Sequence, residues 1–232
     1  MTHTITAPTT TPSTLAGPAP AASAAPGKRA LLAGGIAAGP LFLGAGLVQG
    51  LTRDGFDFTR NALSQLSLGS LGWIQVTAFV ATGVLSLACA AGMRERLRDT
   101  PGGTWAPRLI GLFGASFLAA AVFPADPGAG FPAGAPEVAP ASLSTQGALH
   151  MLSAGVGFLA LCAAFLVLAR HFTAQHRRGW GVACRLVPVG VLAGFAASSA
   201  SVLAFTAGAG LGLLWLTAVS IRLSGPAPAA RP

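Results

Sequence analysis

Apolar residues fall into long blocks near 30–48, 73–93, 106–123, 148–169, 186–205 and 208–221, parted by charged, proline-rich or small polar stretches. About 20 apolar residues at roughly 1.5 Å per residue cross a bilayer core of about 30 Å. The pattern predicts an all-α fold, a polytopic transmembrane bundle of about six helices. The third block is short, and Trp105 and Phe123-Pro124 mark its two interfaces. Thr206–Ala207 and a glycine run part the last two blocks, which read as a tight helical hairpin or as one long broken helix. Gly35/Gly39, Gly46/Gly50, Gly190/Gly194 and Gly208/Gly212 are small-xxx-small pairs that let helix backbones approach in lipid. Pro40 and Pro188 are expected to kink their helices.

Residues 1–29 lack hydrophobic periodicity and read as a disordered cytoplasmic tail. A transmembrane domain over 30–222 and a second disordered tail over 223–232 complete the organisation. The first block, about 19 residues, exceeds the roughly 7–15 of a cleaved signal peptide's apolar core, so it reads as a span. Lys and Arg stay on the cytoplasmic side. With both termini inside, inner segments hold Lys28, Arg29, Arg94, Arg96, Arg98, Arg108, Arg170, Arg177, Arg178, Arg185, Arg222 and Arg231. The outer segments hold Arg53 and Arg60, which completes the 14 basic residues. The topology is therefore N-in/C-in.

Composition agrees. Hydrophobic residues make up 53% of the 232 and charged residues 9%, too few to solvate a globular surface. The net charge of +8 sits between apolar blocks and forms no helical stripe, so nucleic acid is not an expected partner. Cys89, Cys162 and Cys184 lie in or beside apolar blocks without a CxxC pair, which leaves neither a disulfide framework nor a thiolate metal site. The excess of Arg over Lys, with abundant Ala, Gly and Pro, fits a GC-rich bacterial genome and an inner-membrane location.

The spans carry almost no ionisable groups, which counts against an ion-coupled pump. Polar residues gather instead in two outer loops. In the first, residues 51–73, a helical conformation would pair Arg53 with Asp57 and set Asp57 beside Arg60 and Asn61. Asn61, Ser64 and Gln65 continue the polar face over Leu63 and Leu66. One reading is an amphipathic interfacial helix with its charges solvated. The other makes Asp54 and Asp57 a carboxylate pair for a divalent cation, and Arg53, Asp54, Asp57, Arg60, Asn61 and Ser64 a substrate-binding set. In the second loop, Asp126 lies between Pro124 and Pro127, and His150 follows as the fourth helix begins. An aspartate and a histidine facing one pocket would serve as base and orienter, the catalytic acid/base candidates of an enzyme, or as two metal ligands. Alternatively, Asp126 caps a turn and His150 hydrogen-bonds a loop carbonyl. One His and no Cys on this side argue against zinc, and no resident metal or cofactor is expected. His171 and His176, among Arg170, Arg177 and Arg178, read as solvated residues facing anionic lipid heads.

The stretch RNALSQLSLGSLGWIQVTAFVATG (60–83) and the loop FPADPGAGFPAGAP with its downstream GALH (123–150) resemble the bacterial membrane family catalogued as domain of unknown function 998. Its most specific parts here are Arg60, Ser64 and Leu66 leading into Gly72-Trp73, and the Pro124–Asp126–Pro127 turn followed by His150. The resemblance covers roughly 30–222 and implies a six-helix membrane protein with its polar signature outside. It implies no activity. Three roles are carried forward: binding, scaffolding or envelope homeostasis, with membrane lipids as partners; a membrane enzyme acting on a lipid or isoprenoid; and a small-solute transporter.

Overall fold

A computed structural model of the chain describes residues 26–138 and 142–225. Six α-helices are present among them: α1 (Pro26–Thr52), α2 (Gly72–Arg96), α3 (Trp105–Val122), α4 (Thr145–Ala174), α5 (Arg178–Ala196) and α6 (Val202–Ser224). A short 3-10 turn, Leu63–Ser67, sits between α1 and α2. All six are long and apolar enough to cross a membrane, and α3, at 18 residues, is the shortest. The chain is thus a multi-pass integral membrane protein. α1 starts at Pro26, and residues 1–25 and 226–232, most of the two expected tails, lie outside the described residues.

Each helix packs on its chain neighbours, and α6 returns to α1, closing a ring. Successive helices are antiparallel. The Arg96 Nε–H therefore donates to the Leu223 carbonyl at 3.0 Å, joining the last turns of α2 and α6. That basic end also carries Arg94, Arg98, Arg108, Arg170, Arg177, Arg178, Arg185 and Arg222. The opposite end carries the two long connections, 53–71 and 123–144.

Of the glycine pairs, Gly35/Gly39, Gly190/Gly194 and Gly208/Gly212 work as helix contacts, while Gly46 and Gly50 pack on Leu63 and Phe58 of the first loop. A Cβ on Gly194 would lie 2.6 Å from the Ala204 carbonyl oxygen and 2.9 Å from Gly208 Cα, so α5 and α6 touch backbone to backbone. A Cβ on Gly39 would lie 2.8 Å from the Leu213 oxygen, locking α1 to α6. The hairpin bends elsewhere than expected. Thr206–Ala207 lies inside α6, and the break falls at Ala197–Ser201, where the Ser201 hydroxyl accepts from Ala204 N–H and caps α6. The glycine run resembles a breaker in sequence. Between packed helices its missing side chains are what allow close approach.

Candidate functional site

The loop-bearing end is stitched by side chains that bond backbone. The first loop does not form the expected helix: apart from the 3-10 turn it is turns and bends. Arg53 turns away from Asp57. Its guanidinium donates to the carbonyls of Leu66 and Leu68, the latter at 2.6 Å, and lies 4.8 Å from the Phe131 ring centroid. Partial burial lowers its pKa from the ordinary value, yet an arginine stays protonated. Asp57 accepts from the hydroxyl and N–H of Thr59, and those bonds, the hydroxyl's foremost, hold its carboxyl below the usual range. Asp54 is exposed. No cluster of three His, Cys, Asp or Glu side chains that could hold a metal ion occurs among the described residues.

Asn61 is 1% exposed and binds both loops. Its Oδ1 accepts from Asp57 N–H at 2.9 Å, while its Nδ2 donates to the carbonyls of Gly128 and Ala129, each at 3.3 Å. Gln65 Nε2 donates to the carbonyls of Asp126 and Gly128. Arg60 pairs with the Glu137 carboxylate at 2.9 Å on the exposed rim. The second loop turns tightly through Ala129 (φ 55°) and Gly130 (φ 79°), paired Gly128 to Phe131. Two positive φ values in a two-residue turn are the type I′ geometry, which glycine adopts freely and alanine at a cost. The turn delivers Phe131, 1% exposed, beneath Arg53 and against Phe56.

Asp126 and His150 have separate partners. The Asp126 carboxylate accepts from Ser144 N–H at 2.9 Å and from the Ser144 hydroxyl, while that hydroxyl oxygen accepts from Gly147 N–H. The carboxylate thus sits at the N-terminus of α4, where the helix dipole favours an anion. A Cβ on Gly147 would come within 2.1 Å of it, so this glycine makes the room. Nδ1 of His150 bonds the Phe123 carbonyl at 2.7 Å, satisfying the last turn of α3. No hydrogen bond joins Asp126 to His150. Together they splice the end of α3 to the start of α4.

Below this cap lies a cavity of about 460 Å³, within the usual range for small-molecule sites. Its walls are mainly apolar: Phe42 of α1, Phe79 of α2, Phe117 of α3 and Phe158 of α4 form an aromatic floor, with Val202 and Phe205 of α6 opposite. Phe42 and Phe117 pack edge to face at 5.1 Å. Leu63 and Ser64 form the roof. Exposed Leu143, Met151, Ser198 and Ser199 mark a mouth between the start of α4 and the α5–α6 turn. Of the candidate residues, His150 and Ser64 line the cavity; Arg53, Asp54, Asp57, Arg60, Asn61 and Asp126 do not. Among the described residues, no Lys, Arg, Asp or Glu is in its wall. Near the loop-bearing ends of α1 and α2, buried Gln49 donates to Gln75 Oε1 at 2.7 Å, and Thr82 and Ser86 continue the polar face deeper along α2, outside the cavity.

A family model described as a protein of unknown function, DUF998, matches residues 36–222. The chain belongs to the DUF998 family. The matched stretch takes in most of α1, all of α2 to α5, both stitched loops and the cavity, so the site lies within the DUF998 core. No curated protein and no solved structure matches the chain.

Sequence reasoning missed Phe131, Glu137 and the cavity walls. A loop phenylalanine far from any apolar block is the signal that would have exposed Phe131, since such a ring needs a buried seat. The cavity walls left no such trace, because a phenylalanine facing a cavity and one facing lipid read alike.

Proposed function

We propose that this protein is a lipid-binding membrane protein that holds a lipid-like molecule in the cavity under its loop cap. The observation that carries this reading is the cavity itself: ligand-sized, apolar, free of charged lining and open beside exposed Leu143 and Met151. Apolar walls suit an acyl or isoprenoid chain, and a lateral mouth suits entry from the bilayer. An acid/base role draws less support, because Asp126 is committed to Ser144 and His150 Nδ1 to Phe123. The test is to fill the cavity. Ala154, on the wall, is replaced by Phe and the protein released from native membrane for native mass spectrometry. Wild type is expected to carry about one lipid and Ala154→Phe several-fold less at unchanged fold; equal lipid on both refutes the reading.

The basic end of the bundle, by the rule that cationic loops stay inside, faces the cytoplasm and puts the cap and cavity in the outer half of a bacterial inner membrane. Ala133 and Ala174 are exposed at opposite ends, and the three native cysteines are buried. In intact cells, Ala133→Cys is expected to react with an impermeant thiol reagent and Ala174→Cys to react only after lysis. The reverse pattern overturns the orientation.

A further inference from the structure

Two buried polar side chains line the cavity, His150 and Ser116, and each spends a proton on a backbone carbonyl. A carbonyl oxygen has no proton to give, so in the His150–Phe123 bond the donor is Nδ1–H. In the neutral ring Nε2 then carries a lone pair. His150 is 2% exposed and lines the cavity, and its Nε2 has no hydrogen-bond partner among the described residues. The ring is held on its other side by Phe79, edge to face at 5.8 Å. Ser116, on the α3 wall and 7% exposed, spends its proton on the Phe113 carbonyl at 2.7 Å and likewise offers lone pairs.

From this geometry we infer that the cavity selects an uncharged lipid alcohol, whose hydroxyl donates to His150 Nε2 while its chain lies over the phenylalanine floor. This rests on the lipid-binding reading above and sharpens it. A carboxylate or phosphate group would find hydroxyls but no Lys or Arg among the described lining residues to neutralise its charge. A bare hydrocarbon would leave Nε2 unmet, and an unpaired buried acceptor is costly. An alcohol answers both.

The test uses the full chain in phosphatidylcholine nanodiscs with three photoactivatable probes of equal chain length: a C18 alcohol, its methyl ether and the C18 carboxylic acid. The ether keeps the bulk and removes the donor. The alcohol is expected to label cavity-lining peptides of α4 and α6 about tenfold more than the ether, the scale of one buried hydrogen bond. The acid should label no better than the ether. His150→Asn puts an amide N–H where Nδ1–H lies, preserving the bond to Phe123, and removes the Nε2 acceptor. It is expected to erase the preference for alcohol while leaving ether labelling unchanged. Should that variant not accumulate, the three-probe comparison on wild type decides alone. Equal labelling by alcohol and ether, or preference for the acid, overturns the alcohol assignment and leaves lipid binding standing. Absence of cavity labelling by every probe overturns both.

Discussion

Replacing Asn61 by Leu is expected to lower the melting temperature by roughly 5–10 °C and to open the second loop to protease. Leucine keeps the branching at Cγ and removes every polar atom, and its extra bulk adds to the loss at this buried position. Three groups lose their Asn61 partner: the Asp57 N–H and the carbonyls of Gly128 and Ala129. Gly128 keeps its bond from Gln65, but the other two depend on Asn61 far more. A buried group left unmet costs about 1–3 kcal/mol, and the Asp57 N–H and Ala129 carbonyl are only partly covered, so about 2.5 kcal/mol is expected in total. For a chain of this length that corresponds to the stated shift. Cleavage should fall within residues 123–138, because Asn61 joins that loop to the 53–71 connection. Asn61→Asp restores the acceptor for Asp57 N–H but turns a charge toward two carbonyls, so it should be no better than Leu. Measured melting curves that coincide for wild type and Asn61→Leu would remove Asn61 from the account of the cap. Loss of the cap should also lower lipid retention, since Leu63 and Ser64 roof the cavity immediately after Asn61.

Gly194→Leu is expected to be severely damaging to the bundle. The obstacle is backbone: a Cβ at this position meets the Ala204 oxygen at 2.6 Å and Gly208 Cα at 2.9 Å, and neither can rotate aside. α5 and α6 must separate, and the Phe195–Phe205 contact, with ring centroids 4.8 Å apart, goes with them. Overpacking ordinarily costs about 1–3 kcal/mol, and a leucine against backbone belongs at or beyond the top of that range. Folded protein in detergent should fall several-fold, by size-exclusion recovery. Gly190→Leu is the internal control. A Cβ there meets the end of the Leu211 side chain at 2.7 Å, which can swing away, so its loss should be markedly smaller. If the two variants behaved alike, backbone contact between α5 and α6 would not be what limits the bundle.

The membrane fold was legible in the chain because a bilayer imposes one strong rule: spanning segments must be long, apolar and helical. The blocks near 73–93 and 106–123 match α2 and α3 within a few residues. The family resemblance was legible from residues 60–83 and 123–150, and the match over 36–222 places the chain there. The bend between α5 and α6 was misread because glycine has opposite meanings in water and in a bundle. Thr206–Ala207 lies in helix because Gly208 is stacked on Gly194, a partner that only the folded hairpin supplies.

The loops behaved differently, since nothing as uniform as a bilayer governs them. Sequence alone marked Asn61, Asp126 and His150 as polar residues that needed an explanation. It left open whether Asp126 and His150 shared a pocket or served the helix ends, because residues 24 apart can meet in many ways. Tertiary structure set Asp126 on Ser144 and His150 on Phe123, as orphan groups at the ends of α3 and α4 demand partners. It also made the cavity, which belongs to no segment: its walls come from five helices and three connections. Local pattern determines which stretches enter the membrane. Where the enclosed space lies, and which nitrogen of His150 looks into it, depends on how the ring of helices closes.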